Sequence, residues 1–213
     1  ERQDLVFHFG EYSRVVPSFK DIAYVLRTNL QGTTRIIELC KAWKCKLIYS
    51  ASSSKFGGNE DLSPYSWVKA KMVELIKNYN KWFNLQYEIC YFYNVYGKNH
   101  IATGDYATVI AKFEKQYKEK KPLTVVGDGF THINDIIIAL YKILRQNSNK
   151  EWYLSSDKSY SILEVAKMFT DDIVFVPKRK GEREHAITMV NATKEILNWE
   201  IEYDLKKYID GQK

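Results

Sequence analysis

Short apolar runs alternate with amphipathic stretches along most of these 213 residues, and that order constrains the fold more than any other feature. Residues 5–9, 46–50, 86–93, 123–126 and 152–154 read as strands. Residues 21–44, a stretch opening at Pro64, and residues 106–117, 134–145 and 161–168 carry apolar side chains at helical spacing. Ser161 and Glu164 form a capping-box pair at the start of the last of these. Strand alternating with helix predicts βαβ units and a mainly parallel sheet. Ligands on such sheets sit at the carboxyl ends of strands, where Ser52, Asn94 and the loop after Phe9 fall.

Composition narrows the class. The chain is 45% hydrophobic and 27% charged, an ordinary globular balance. No apolar run approaches the ~20 residues of a membrane span, and no signal peptide opens the chain. Cys40, Cys45 and Cys90 have no metal-ligand spacing and suit a reducing cytoplasm, and the four histidines are scattered. The net charge of +6 would suit a polyanion. However, Lys112, Lys115, Lys118, Lys120 and Lys121 look like one solvated helix face, and a nucleotide diphosphate would equally be served. Neither a nucleic acid nor a membrane is expected as partner.

One stretch carries chemistry. In 62–69, Ser63 is a helix N-cap and Pro64 suits the first helical turn. Tyr65 and Lys69 then lie four apart and share a face. A cation near a phenol favours the phenolate, which could exchange a proton with an alcohol. The bland alternative is a packed tyrosine beside a solvated lysine.

The neighbouring motifs change that balance. In order they are Asn29-x-x-Gly32-Thr33, Ser52-Ser53-Ser54-Lys55-Phe56-Gly57, Tyr65-x-x-x-Lys69, Asn94-Val95-Tyr96-Gly97 and Gly127-Asp128-Gly129. Together they resemble the extended short-chain dehydrogenase/reductase family, in its NAD-dependent nucleotide-sugar epimerase/dehydratase branch, over nearly the whole chain. The resemblance implies a Rossmann-type, doubly wound α/β fold with a smaller C-terminal α/β domain. Residues 1–100 would bind NAD. Residues 101–213 would mainly bind a nucleotide-diphosphate sugar, with 123–147 returning to the first domain.

The resemblance also assigns roles. Ser52, five residues before Gly57, would hydrogen-bond the oxygen being oxidised. Tyr65 would be the base, and Lys69 would hold the nicotinamide ribose. Phe9, Asn29 and Ser50 join Tyr65 and Lys69 as expected cofactor residues. Ser52, Ser53, Asn94 and Arg179 are the expected substrate residues, the last two on the diphosphate. No metal is implied, and a homodimer is. The implied activity is 4-epimerisation through a transient 4-keto sugar. A dehydrogenase that releases the ketone and a non-catalytic nucleotide-sensing relative are the alternatives.

Departures from the family pattern matter too. The Gly-x-x-Gly-x-x-Gly loop that seats the NAD pyrophosphate is absent, and Gly129 joins Phe130 directly where relatives carry several more residues. Segments missing from this numbering are the expected explanation. Dehydratases of the branch follow the catalytic threonine with Asp-Glu, whereas here Ser53 and Ser54 stand. Serine hydroxyls cannot supply the acid for water loss near neutral pH, so 4,6-dehydration is not expected. Tyr91 replaces a common arginine and Lys55 a buried valine.

Overall fold

A computed structural model describes residues 1–56, 60–125, 130–177, 180–181 and 191–213. Its centre is a four-stranded, wholly parallel sheet of β1 (Leu5–His8), β2 (Lys46–Ser52), β3 (Tyr87–Phe92) and β7 (Glu151–Leu154), in the order β1-β2-β3-β7. Alternate side chains of β2 feed opposite faces. Leu47, Tyr49 and Ala51 pack with Ile37, Val68, Met72 and Ile76 from the helices before and after β2. Ile48 packs on the other side, with Ile136, Ala139, Ile143, Trp152 and Trp199. Both faces are thus covered, as a doubly wound sheet requires. The α/β class expected from the alternation is what the chain adopts.

The helix after β1 departs from a plain 21–44 helix. It runs as α1 (Ile22–Val25), a π-helical turn Leu26–Gly32, and α2 (Thr33–Trp43). Asn29 sits in that π turn, fully buried, and its side chain grips both backbone polar groups of Tyr12. The helix widens where a buried side chain must reach the loop beyond β1, a common setting for π bulges.

α3 (Pro64–Phe83) starts where the sequence signals it. Ser63 Oγ accepts from the Ser66 amide at 3.1 Å, and Pro64 occupies the first turn. Asn84, left-handed at φ 57°, ends the helix by donating its N–H to Asn80 O. Tyr65, Lys69, Met72, Val73 and Ile76 form its buried stripe, so the two chemical residues are the N-terminal end of a core face.

The C-terminal half builds a second cluster. Two short parallel pairs, β4 (Asn94–Tyr96) with β6 (Phe130–His132) and β5 (Leu123–Val125) with β8 (Ile173–Phe175), join α4 (Val109–Lys118), α6 (Ile162–Phe169) and α8 (Leu205–Asp210). Tyr96, Phe113, Leu123, Phe130, Val165 and Ile209 fill its centre. α5 (Ile133–Ile143) leaves this region to pack on the main sheet, with α7 (Asn191–Leu197) beside it. The expected helix from residue 106 begins only at Val109. A turn at Gly104 (φ 74°) and extended Thr108 hold 101–108 as a loop. The α6 capping box forms as read.

Candidate active site

The carboxyl ends of β1, β2 and β3 open on a cavity of about 550 Å³. Phe9, Ser50, Ser52, Ser53, Tyr65, Lys69 and Asn94 all line it. Asn29 lies behind the wall, fixing Tyr12 of the loop after β1. Arg179 is outside the described residues. Gly181, two positions on, lines the cavity at φ 81°, where a Cβ would stand 2.7 Å from Phe19 Cε2. The Gly127-Asp128-Gly129 motif is also outside the described residues.

Ser52 closes β2 and caps the 3₁₀ turn Ser53–Lys55. Its Oγ accepts from the Ser54 amide at 3.2 Å and from the Ser54 hydroxyl at 2.9 Å. With both bonds accepted, its own proton is left to point elsewhere. Tyr65 is 8% exposed, with its amide donating to Ser18 Oγ at 3.4 Å. Asn94 is exposed on β4, in register with Phe130.

Lys69 is only 4% exposed, so its ammonium needs partners. It donates to Ser50 O at 2.5 Å, lies 3.3 Å from Ser50 Oγ, and forms an ion pair with Glu11. Its Nζ also stands 4.9 Å from the centre of the Tyr49 ring. Glu11 went unread in the sequence. Its carboxylate, 1% exposed, accepts from Thr33 Oγ1 at 2.7 Å and from Tyr49 OH at 3.2 Å. Thr33 can donate there only if it accepts from His8 Nε2, 2.8 Å away, which fixes the His8 tautomer. Burial holds the His8 imidazole below its ordinary value; Glu11 opposes that and Lys69 adds to it. Burial, then Glu11, push the Tyr49 phenol well up, so it stays a donor. A carboxylate placed just past a strand end that faces a site was the available signal for Glu11.

The two substitutions noted around the strand ends are partners of one another. Lys55 Nζ lies 3.3 Å from Tyr91 OH, which donates to Glu151 Oε1 at 2.5 Å, and Lys77 pairs with Glu151 at 2.6 Å. Tyr91 stacks on Tyr153 at 5.3 Å, with Phe56 against both. Lys55 and Tyr91 therefore make a local network at the edge of the sheet. The cavity also receives Arg14, Asp105, Thr108 and Lys112, none of them singled out as site residues in the sequence. Among the described residues, no three or more His, Cys, Asp or Glu side chains are grouped to hold a metal ion.

Comparison with known proteins decides the family. The sequence profile of the NAD dependent epimerase/dehydratase family matches residues 1–154. The chain belongs to this family. It is thereby an extended short-chain dehydrogenase/reductase, as the motifs implied. Among its curated relatives is dTDP-D-glucose 4,6-dehydratase of Dictyostelium discoideum, 29% identical over 196 residues that span 78% of this chain and 44% of that protein. UDP-glucuronate 4-epimerase of Thermodesulfobacterium geofontis is 26% identical over 236 residues, 98% of this chain and 72% of that one. The chain thus spans from under half to about three quarters of these family members. Among solved structures, the UDP-glucose 4-epimerase of Thermotoga maritima with UDP-glucose superposes with a TM-score of 0.89 at 21% identity, over 98% of this chain and 75% of its own. The UDP-glucuronic acid 4-epimerase of Bacillus cereus, in complex with UDP-glucuronic acid and NAD, gives 0.85 at 25% identity, over 98% and 74%. Family membership and fold agree.

Proposed function

We propose that this chain works as an NAD-dependent oxidoreductase acting on a nucleotide-diphosphate sugar, most simply as a 4-epimerase through a transient 4-keto intermediate. The observation that carries this is the meeting of Ser52, Tyr65 and Lys69 on one cavity at the strand ends. Tyr65 takes the proton of the reacting hydroxyl, and Ser52 directs its remaining O–H at the same oxygen. Lys69, anchored by Glu11 and Ser50, holds the ribose side of the cofactor, with Phe9 and Ser50 on the same wall. Asn29 serves from behind by fixing the loop that carries Glu11. NAD, when bound, supplies the acceptor for the sugar hydride. The cavity fits its nicotinamide end, since a buried ammonium, a serine hydroxyl and the apolar ring of Phe9 all line it.

Ser53 and Asn94 would meet the substrate, and Arg179 its diphosphate. The relatives named for UDP-sugars support this substrate class. The activity of the dTDP-D-glucose dehydratase does not extend to this chain, because Ser53 and Ser54 offer no acid for water loss. We assign residues 1–100 to cofactor binding and 101–213 mainly to the nucleotide sugar. Within 123–147, α5 packs on the main sheet and Leu123 packs in the C-terminal cluster.

A homodimer fits the exposed aromatic end of α3, where Trp82 (59%) and Phe83 (51%) face solvent with Lys41 of α2 over Phe83. Three unpaired buried cysteines suit a cytoplasmic setting, and no helix among the described residues is long and apolar enough to cross a membrane.

The test is Tyr65→Phe in the full-length protein. Turnover of its nucleotide sugar should fall about a hundredfold or more, the scale of a positioned acid–base group, with sugar binding retained. Near-normal turnover would put the base elsewhere.

A further inference from the structure

The proposed chemistry gives Arg14 no part. Arg14, in the loop after β1, lines the cavity together with Tyr65 and Ser52. Among the described residues, no carboxylate is paired with it. Its Nη1 donates to Ser13 O at 3.1 Å, its Nη2 donates to Tyr106 O, and its guanidinium lies 5.5 Å from the centre of the Tyr106 ring. Two of the five N–H groups of a guanidinium are thereby committed. The Nε is buried with no partner. Burial draws the group below the usual arginine range, and Tyr65 heads the phenols that act against that. A partly buried cation without a counter-charge is costly, so an anion that arrives with the ligand completes it.

The place of Arg14 says which anion. On either side of Arg14 in the chain, Glu11 pairs with Lys69 and Ser18 Oγ accepts from the Tyr65 amide, so the loop that carries Arg14 lies along the group assigned to the reacting hydroxyl. Asn94, given to the diphosphate in this reading, belongs to β4 instead. A carboxylate on the ring carbon next to the reacting one would lie on the Arg14 side. The planar fork of a guanidinium matches a carboxylate in two parallel hydrogen bonds.

We propose that Arg14 selects the substrate, and that the preferred substrate is a nucleotide-linked uronic acid whose C5 carboxylate Arg14 binds. This rests on the nucleotide-sugar reading. The full-length protein with NAD is assayed for kcat/KM and Kd with UDP-glucuronate and UDP-glucose, and for Kd with UDP alone. Wild type should prefer the uronate at least tenfold. Arg14→Met should lower the uronate-to-hexose ratio about 10- to 100-fold, the range of a lost hydrogen bond to a charged group. Arg14→Lys, which keeps the charge without the fork and guards against collapse of the loop, should fall between. A wild-type preference for the hexose overturns the inference and leaves the proposed function standing. So does an equal loss of UDP and uronate affinity in Arg14→Met, which would place Arg14 on the diphosphate. Turnover of neither sugar sinks the proposed function, and equal Kd values for uronate and hexose then overturn this inference as well.

Discussion

Glu11 and Lys69 show how much one pair of side chains settles. Each is almost wholly buried, and each is the other's counter-charge. Removing one partner strands a buried charge, which costs about 3–5 kcal/mol, whereas replacing both with apolar groups of similar size is often close to neutral. Glu11→Ala should therefore lower the melting temperature sharply, and Glu11→Leu combined with Lys69→Met should recover most of the loss while abolishing catalysis. A double variant that melts as low as the single one would refute the coupling. Lys69 and Tyr65 were readable in sequence because helical spacing alone sets them on one face. Glu11 was not, because its partners Thr33, Tyr49 and Lys69 stand 22, 38 and 58 residues away. Only the fold closes such distances. Arg14 was missed for the same reason, since its bond to Tyr106 spans 92 residues.

Periodicity marks the long elements well and the short ones poorly. α3 was legible from Ser63 and Pro64, and the capping box of α6 was equally plain. β4, β6 and β8 have three residues each, too few for a pattern of alternation, and they exist because β4 pairs with β6 and β8 with β5. The π turn between α1 and α2 was invisible, because Leu26–Gly32 still carries apolar side chains at near-helical spacing. Its cause is Asn29, whose amide accepts from Tyr12 N and donates to Tyr12 O, both at 2.8 Å. Asn29→Ala leaves two buried backbone groups unpaired, at about 1–3 kcal/mol each. The melting temperature should drop, and hydrogen exchange should quicken at the Tyr12 amide ahead of the β2 and β3 amides. Uniform protection in the variant would mean that Asn29 does not hold this loop.

The sheet, the covered faces and the cavity at the strand ends form a single frame, and its acid sensitivity follows from what it buries. His8 and His132 are both held below the ordinary 6.5 by burial, so the fold keeps them neutral. The unfolded chain takes up those protons more readily. Their contribution is thus complete above about pH 6.5 and is lost as pH falls below it. The melting temperature should decline from about pH 7.5 to 5.5, less steeply in His8→Gln, and a flat profile across that window would contradict the assignment. The sheet order follows from alternation of strand and helix, which is why the class was legible from sequence. How 101–213 divides was not readable from alternation: the return of 123–147 was expected from the resemblance alone, and within it α5 packs on the sheet while Leu123 packs in the second cluster. Function at this scale comes down to whether the cavity oxidises a sugar and gives it back. Full-length protein, NAD and either UDP-glucose or UDP-glucuronate should be incubated and the products read by NMR. The expected product is the C4 epimer, with every other substituent of the sugar retained. An unchanged sugar, or a 6-deoxy-4-keto product from UDP-glucose, would contradict the roles given to Ser52, Ser53, Ser54 and Tyr65.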